Sequence, residues 1–388
     1  MRHWTGGRVK CADESLREAV RGKRIGLMVN SSAIHNDGRL LMDVIVEEKW
    51  AAEVVYFIGI EHGVRNDLGN ELTNLGNVDP KTGIRIVNLY DYKDRRPPVE
   101  ELCKVDAIVY CTQDSGIRHW TFTPWMQFLL QEAAKAGCEV IIVDRPNPLR
   151  GDIVEGQVTE PKYEGTILTG YGYPLRHGMT IGELALYHNA DRNLGARITV
   201  LKMEGWERDM WYSDTGLMWL PPTPNISTPE RLLTYLTLGL FQGSNLSMGH
   251  GTVIPYEFLG HPKFSSEAFA NELNSRDLPH VFFAPRTFMS GEWNAQTNLV
   301  PCHGVVVLIE DRDKYRSVPT TLHMMDAALK LYPEIVDLEA KGGWARPRMG
   351  TDEVFDLVAE GKSVLSLIDK WEASAKEFEK KRAPFLLY

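Results

Sequence analysis

Four apolar, β-branched runs in the first 150 residues each lead into polar or ionisable side chains. The run 25–29 is followed by Asn30, 54–60 by Glu61 and His62, 107–111 by Gln113 and Asp114 one residue further on, and 140–143 by Asp144 and Arg145. Short runs of this kind predict buried strands. Between them apolar residues recur at helical spacing, at Leu40, Leu41, Val44 and Ile45 and again at Trp125, Phe128, Leu129 and Ala133, with a stop at Gly137. Strands alternating with helices predict an α/β fold built on a parallel sheet with right-handed crossovers. Ligands bind such sheets in the crevice beyond the carboxyl ends of the strands. If the runs are parallel neighbours, the four polar tips converge on one site, as in an enzyme.

The pattern places strands at 24–30, 53–60, 84–89, 107–112 and 139–144, and helices at 39–49 and 123–136, with a short helix opened by Pro97 and Pro98. Residues 61–83, rich in Gly and Asn, read as a long functional loop. After Pro146 and Pro148 the texture changes, and residues 146–178 are dense in Gly, Pro and Tyr with little periodicity. A domain boundary is expected here, giving units 1–150 and 151–388. The second unit mixes helices (181–194, 228–242, 320–332, 352–360, 363–381) with sparser strands (197–203, 280–284, 304–310), an α+β pattern. A chain of 388 residues is also too long for one ordinary core.

Composition narrows the function. The chain is 43% hydrophobic and 24% charged, ordinary for a soluble globular protein. Its net charge of −9, with no Lys/Arg stripe, argues against nucleic acid. Five cysteines without a Cys-x-x-Cys pair argue against a disulfide framework or a cysteine zinc site, and no His-Glu-x-x-His occurs, so no metal is expected. No Gly-x-Gly-x-x-Gly follows the first strand and no Gly-Lys-Ser/Thr occurs in the glycine-rich loop 242–252, so no nucleotide cofactor is expected and an oxidoreductase lacks support. No apolar stretch suits a membrane span. The first ten residues are polar, which reads as cytoplasmic; a chain whose leader had been removed reads the same, leaving a secreted or periplasmic location open. An oligomer is compatible with all of this.

The chemistry-bearing motifs lie past the strands. Glu61, at the lip of an apolar strand and before Gly63, suits a general acid; the alternative is a turn cap or a partner for Arg65. Asp114 can face Glu61 across the cleft, two carboxylates being the equipment of a glycosidase, or it can cap the helix that starts near Thr121. Asp144 with Arg145 reads as a structural pair. Thr180 with Glu183 is a capping box, and His177 precedes it in a glycine-rich loop. Asn225 ends the proline-stiffened segment 219–225, and Asn245 lies in the polar loop 242–252. Ten tryptophans offer flat faces for sugar rings, although burial is the commoner fate of any one.

The ordered motifs GLMVNSSA, EHGVR, DPKTGI, NLY, QDSGIR, DRPNP, EGQV, RHGMTIGELA, WLPPTPNI, QGSNLSMGHGT and terminal LLY resemble the NamZ-like exo-β-N-acetylmuramidase family over nearly the whole chain. The resemblance implies a Rossmann-like N-terminal domain, a smaller second domain and an active-site cleft between them. It also implies removal of N-acetylmuramic acid from the non-reducing ends of peptidoglycan. Glu61 becomes the leading catalytic candidate with Asp114 beside it, and His62, Arg65, Arg118, His177 and Asn225 are expected at the cleft. Arg65, Arg118 and Arg176 become candidates for the lactyl carboxylate of that sugar. The chain departs from the family at four places. Gln242 replaces a Glu; Met248-Gly249-His250-Gly251 replaces Glu-Gly-Arg-Gly; His119-Trp120-Thr121-Phe122 replaces a Tyr-rich run; and Arg65-Asn66 replaces Arg-Gly. Because a glutamine donates no acidic proton, a sugar- or protein-binding module without turnover is the alternative to a glycosidase.

Overall fold

Alternate residues of the first strands face opposite sides of one sheet. In the computed structural model, which describes residues 8–65, 76–291 and 297–388, these strands are β1 (Arg24–Val29), β2 (Glu53–Gly59), β3 (Ile86–Asn88), β4 (Ala107–Cys111) and β5 (Glu139–Val143). Ile25, Leu27, Val29, Phe57, Val109 and Ile141 pack into one apolar layer, and Met28, Tyr56, Ile58, Ile108, Tyr110 and Val140 into the other. Strands buried on both faces read as continuous apolar runs, which is why they were legible. Gly26 leaves room for its neighbours across the sheet: a Cβ there would lie 2.5 Å from the Tyr56 ring.

Two further strands follow, β6 (Glu155–Val158) and β7 (Pro174–Arg176), paired antiparallel with each other, and then β8 (Arg197–Leu201). The sheet is parallel throughout, in the order β3-β2-β1-β4-β5-β8. The main sheet therefore runs past the boundary expected near residue 150 and takes its edge strand from 197–201. The Gly/Pro-dense segment is an excursion from this sheet, which its texture did not reveal.

The helices form where expected. Phe122–Ala136 turns Trp125, Phe128, Leu129 and Ala133 inward and ends at Gly137, whose φ of +64° closes a left-handed cap. Ile181–Asp191 opens on the Thr180–Glu183 capping box.

The remainder is α+β. A three-stranded antiparallel sheet, β9 (Phe258–His261), β10 (Val281–Met289) and β11 (Pro301–Ile309) in the order β10-β11-β9, is flanked by helices including Arg231–Leu238, Ser266–Asn274 and Ser317–Leu331. The long C-terminal helix Leu367–Arg382 buries Leu367, Trp371, Ala375 and Phe378. One apolar cluster extends from Met28 to Phe378, so both halves share a core. Among the described residues no helix is long and apolar enough to cross a membrane.

Candidate active site

Beyond the carboxyl end of β2 the chain turns sharply. The Gly63 N–H donates to the Ile60 carbonyl at 3.0 Å, and His62 sits at φ +67°, a conformation L-residues avoid unless their surroundings impose it. This turn presents Glu61 and His62 to a cavity of about 340 Å³, within the usual range for small-molecule sites. The walls come from both halves of the chain: His119, Trp120, Thr121 and Phe122 from the segment after β4, Thr223 and Asn225 from the proline-stiffened loop, and Tyr235, Gln242, His250, Tyr256, Trp344 and Arg348 from the second half. Among the described lining residues Glu61 is the one with a carboxyl group.

The floor is deeply buried and the rim is open. His119 is 1% exposed and Arg348 3%, whereas Trp344 is 45% exposed. Several buried polar atoms of the wall have no hydrogen-bond partner: His62 Nδ1, both ring nitrogens of His119, Trp120 Nε1, Gln242 Oε1, and Nε and Nη1 of Arg348. Buried polar groups are normally satisfied, so a wall of unmet donors and acceptors is suited to a polar ligand or to bound water. Burial, helped by the charges of Arg348 and Arg118, pushes the His119 imidazole well below its ordinary value, so it is neutral. Its ring rests against Gly239, where a Cβ would fall 2.2 Å from Nε2. The Thr121 hydroxyl donates to Glu61 Oε2 at 2.5 Å and fixes that carboxylate.

Of the sequence candidates, the structure brings Glu61, His62 and Asn225 to the cavity. The others are engaged elsewhere. Asp114 is buried, accepting from Thr123 Oγ1 (2.7 Å) and the Gly116 N–H (2.8 Å), with His177 Nε2 at 3.3 Å. Burial alone would raise its carboxyl, but His177, Thr123 and the Gly116 N–H outweigh it and hold it below the ordinary carboxylate range. Asp114 and His177 thus lie against each other, buried under the loop, and Asp114 does not line the cavity with Glu61. Arg65 is shared between Asp43 (2.9 Å) and Asp79 (2.5 Å). Arg118 donates to the carbonyls of Gln157 (2.8 Å), Arg348 (3.2 Å) and Met349 (2.6 Å). Arg176 pairs with Glu155 at 2.7 Å. Asn245 ties down the chain at Ile335 (2.7 Å) and Asp337 (3.0 Å).

The four strand tips accordingly do not all open on one mouth. Asn30 accepts from the Ser32 N–H, and Ser32 Oγ accepts from the Gln113 N–H, stitching two tips together. Asp144 is covered by Thr180, Gly182 and Tyr388, and Arg145 binds the Ile34 carbonyl. The excursion after β5 and the C-terminus close over them, leaving the β2 tip at the cavity. Of the loop 61–83, residues 66–75, including Asn66, lie outside the described residues.

Sequence reasoning missed Arg348, Tyr235, Tyr256 and Trp344. The segment Gly-Gly-Trp-Ala-Arg-Pro-Arg-Met-Gly at 342–350 carried a signal, a dense Gly/Pro punctuation around one Trp and two Arg. Of the positions where the resemblance implied departures, His119 to Phe122, Gln242 and His250 line the cavity, whereas Arg65, Met248, Gly249 and Gly251 do not.

A buried-floored pocket with aromatic faces, unmet hydrogen-bonding atoms and a held carboxylate has the make-up a sugar requires, and the class of protein it fits is glycoside hydrolase. Models of the N-terminal and C-terminal parts of exo-beta-N-acetylmuramidase NamZ match residues 25–230 and 233–388, so the chain belongs to that family. It is 34% identical over 374 residues to the peptidoglycan beta-N-acetylmuramidase NamZ of Bacillus subtilis (strain 168), covering 96% of this chain and 88% of that protein. Crystal structures of two DUF1343 family proteins from Bacteroides fragilis NCTC 9343 share the fold. One has a TM-score of 0.89 at 30% identity and the other 0.73 at 26%, each match covering 98% of this chain and 99% of that one.

Proposed function

We propose that the protein is an exo-acting β-N-acetylmuramidase that releases terminal N-acetylmuramic acid from the non-reducing ends of peptidoglycan fragments, a step of cell-wall recycling. The observation that carries this reading is a pocket with a buried floor, an exposed rim and Glu61 in its wall. A buried floor accepts one terminal sugar, and an open rim lets the rest of the glycan leave, which is exo-action in geometric terms. Glu61 acts as the general acid on the glycosidic oxygen. With Oε2 held by Thr121, Oε1 is the oxygen left for the proton transfer. Tyr235, Tyr256 and Trp120 supply flat faces, and His62, Gln242 and Asn225 supply hydrogen bonds to hydroxyl and acetamido groups.

Gln242 does not by itself favour a module without turnover, because Glu61 remains in place as a proton donor. The test is hydrolysis of a chromogenic β-N-acetylmuraminide and of a reducing-end-labelled oligosaccharide. Release of single N-acetylmuramic acid residues supports the reading. Internal cleavage, or binding without turnover over days, sinks it.

A further inference from the structure

Resting on that reading, we propose that Arg348 is the specificity-determining residue: it pairs with the lactyl carboxylate of N-acetylmuramic acid and so separates this sugar from N-acetylglucosamine. The fully buried arginines elsewhere are committed. Arg118 and Arg382 hold backbone carbonyls, Arg145 holds the Ile34 carbonyl and Cys111 Sγ, and Arg176 pairs with Glu155. Arg348 is buried to the same degree, yet Nε and Nη1 have no partner and the side chain lines the cavity. Among the described residues, its one side-chain partner is the Tyr235 hydroxyl, through a hydrogen bond. A guanidinium stays charged in a protein, and a buried charge that meets only a neutral hydroxyl, with no anion to balance it, is costly. A carboxylate delivered by the substrate removes that cost.

The position of Arg348 is built. It lies on the short helix Ala345–Met349, which packs against Gly243 so closely that a Cβ there would lie 2.5 Å from the Ala345 Cα. At the other end Arg118 holds the carbonyls of Arg348 and Met349. The arginine predicted to bind the carboxylate therefore positions the one assigned to it. Glu61, Tyr235 and Arg348 line the same cavity, and the Tyr235 side chain that hydrogen-bonds Arg348 also feels the charge of Glu61, so the cation and the proton donor share one stretch of wall. On the sugar, the lactyl-bearing carbon and the anomeric carbon are separated by a single ring carbon, which matches one site presenting both groups. N-acetylglucosamine, lacking the acid, leaves Arg348 buried without a counter-charge and with Nε and Nη1 unmet, a strong basis for rejection.

Three chromogenic substrates test this: the β-N-acetylmuraminide, the same compound with its lactyl acid converted to the methyl amide, and the β-N-acetylglucosaminide. The wild type is expected to prefer acid over amide by roughly 10- to 100-fold in kcat/KM, mostly through KM, the size of a lost charge-assisted hydrogen bond. Arg348→Met is expected to cleave acid and amide equally, and Arg348→Lys to restore part of the preference. Retention of the wild-type preference in Arg348→Met overturns the assignment. If that variant does not fold, the unmutated protein decides, since equal kcat/KM for acid and amide also overturns it. Cleavage of none of the three counts against the glycosidase reading instead. Calorimetry with free N-acetylmuramic acid and N-acetylglucosamine then reads Arg348 separately, and equal affinities sink the pairing.

Discussion

Thr121 Oγ1 donates to Glu61 Oε2 at 2.5 Å, joining the tip of β2 to the start of the helix Phe122–Ala136. The two residues are 60 positions apart and belong to different crossovers of the sheet. Parallel packing of β2, β1 and β4 brings them together, and the hydroxyl leaves the carboxylate one orientation. Glu61→Gln is expected to lower kcat by about 10²- to 10⁴-fold, the usual contribution of a general acid. Thr121→Val, nearly the same shape without the donor, is expected to lower kcat/KM roughly 10-fold with unchanged melting temperature. Steady-state kinetics on the chromogenic muraminide check both, and an undiminished Glu61→Gln rate removes Glu61 from the chemistry.

Gly239 and Gly243 act through space they leave empty. Gly239→Ala places a methyl group 2.2 Å from His119 Nε2, and Gly243→Ala places one 2.5 Å from the Ala345 backbone. Each is expected to cost about 1–3 kcal/mol of stability, as overpacking does. Gly243→Ala should also raise KM, because it shifts the helix that carries Arg348. Denaturant melts paired with kinetics test this, and a Gly243→Ala protein with wild-type stability and KM contradicts it.

His188 governs part of the acid limb of stability. Burial, with Arg192 and Arg96 nearby, pushes its imidazole down to about 3. The unfolded chain takes up a proton near pH 6.5 that the folded protein refuses, so stability falls as pH drops below that value, by up to about 1.4 kcal/mol per unit until the folded group titrates. His188→Gln should flatten this limb between pH 6.5 and 3. Parallel slopes for the two proteins in urea titrations would refute it.

Asp144 works in the opposite sense. Burial raises its carboxyl to about 7 despite hydrogen bonds from Thr180, Gly182 and Tyr388. Below about pH 4 both states are protonated and nothing is lost. Between pH 4 and 7 the unfolded chain ionises first, so stability falls as pH rises, and above 7 the loss stays constant. Asp144→Asn is therefore expected to gain on the wild type across that window, whatever its offset at pH 4. A difference between the two that does not change with pH would show that Asp144 does not titrate there.

The sheet was legible because its strands are buried on both faces, as the alternation of Ile25, Leu27 and Val29 against Met28 illustrates. Glu61 was legible because it ends such a strand. Arg118 and Arg176 misled for a physical reason: an arginine after a cleft motif reads the same whether it meets a ligand or a backbone carbonyl. Strands β6 and β7 were hidden by the Gly, Pro and Tyr around them. Arg348 was hidden by distance, since it joins Glu61 through a fold that closes over more than 280 intervening residues, and no local pattern encodes that approach.

Strand β8 has a consequence for any attempt to divide the molecule. A fragment stopping near residue 150 would strip the cover from β5 and bare a ladder of unpaired amides and carbonyls, the kind of edge that recruits other chains. Such a piece should self-associate instead of standing alone. A cut at residues 231–232, between the two family matches, keeps that edge sealed but tears the shared apolar layer. The protein is thus expected to unfold as one body whose halves do not come apart cleanly.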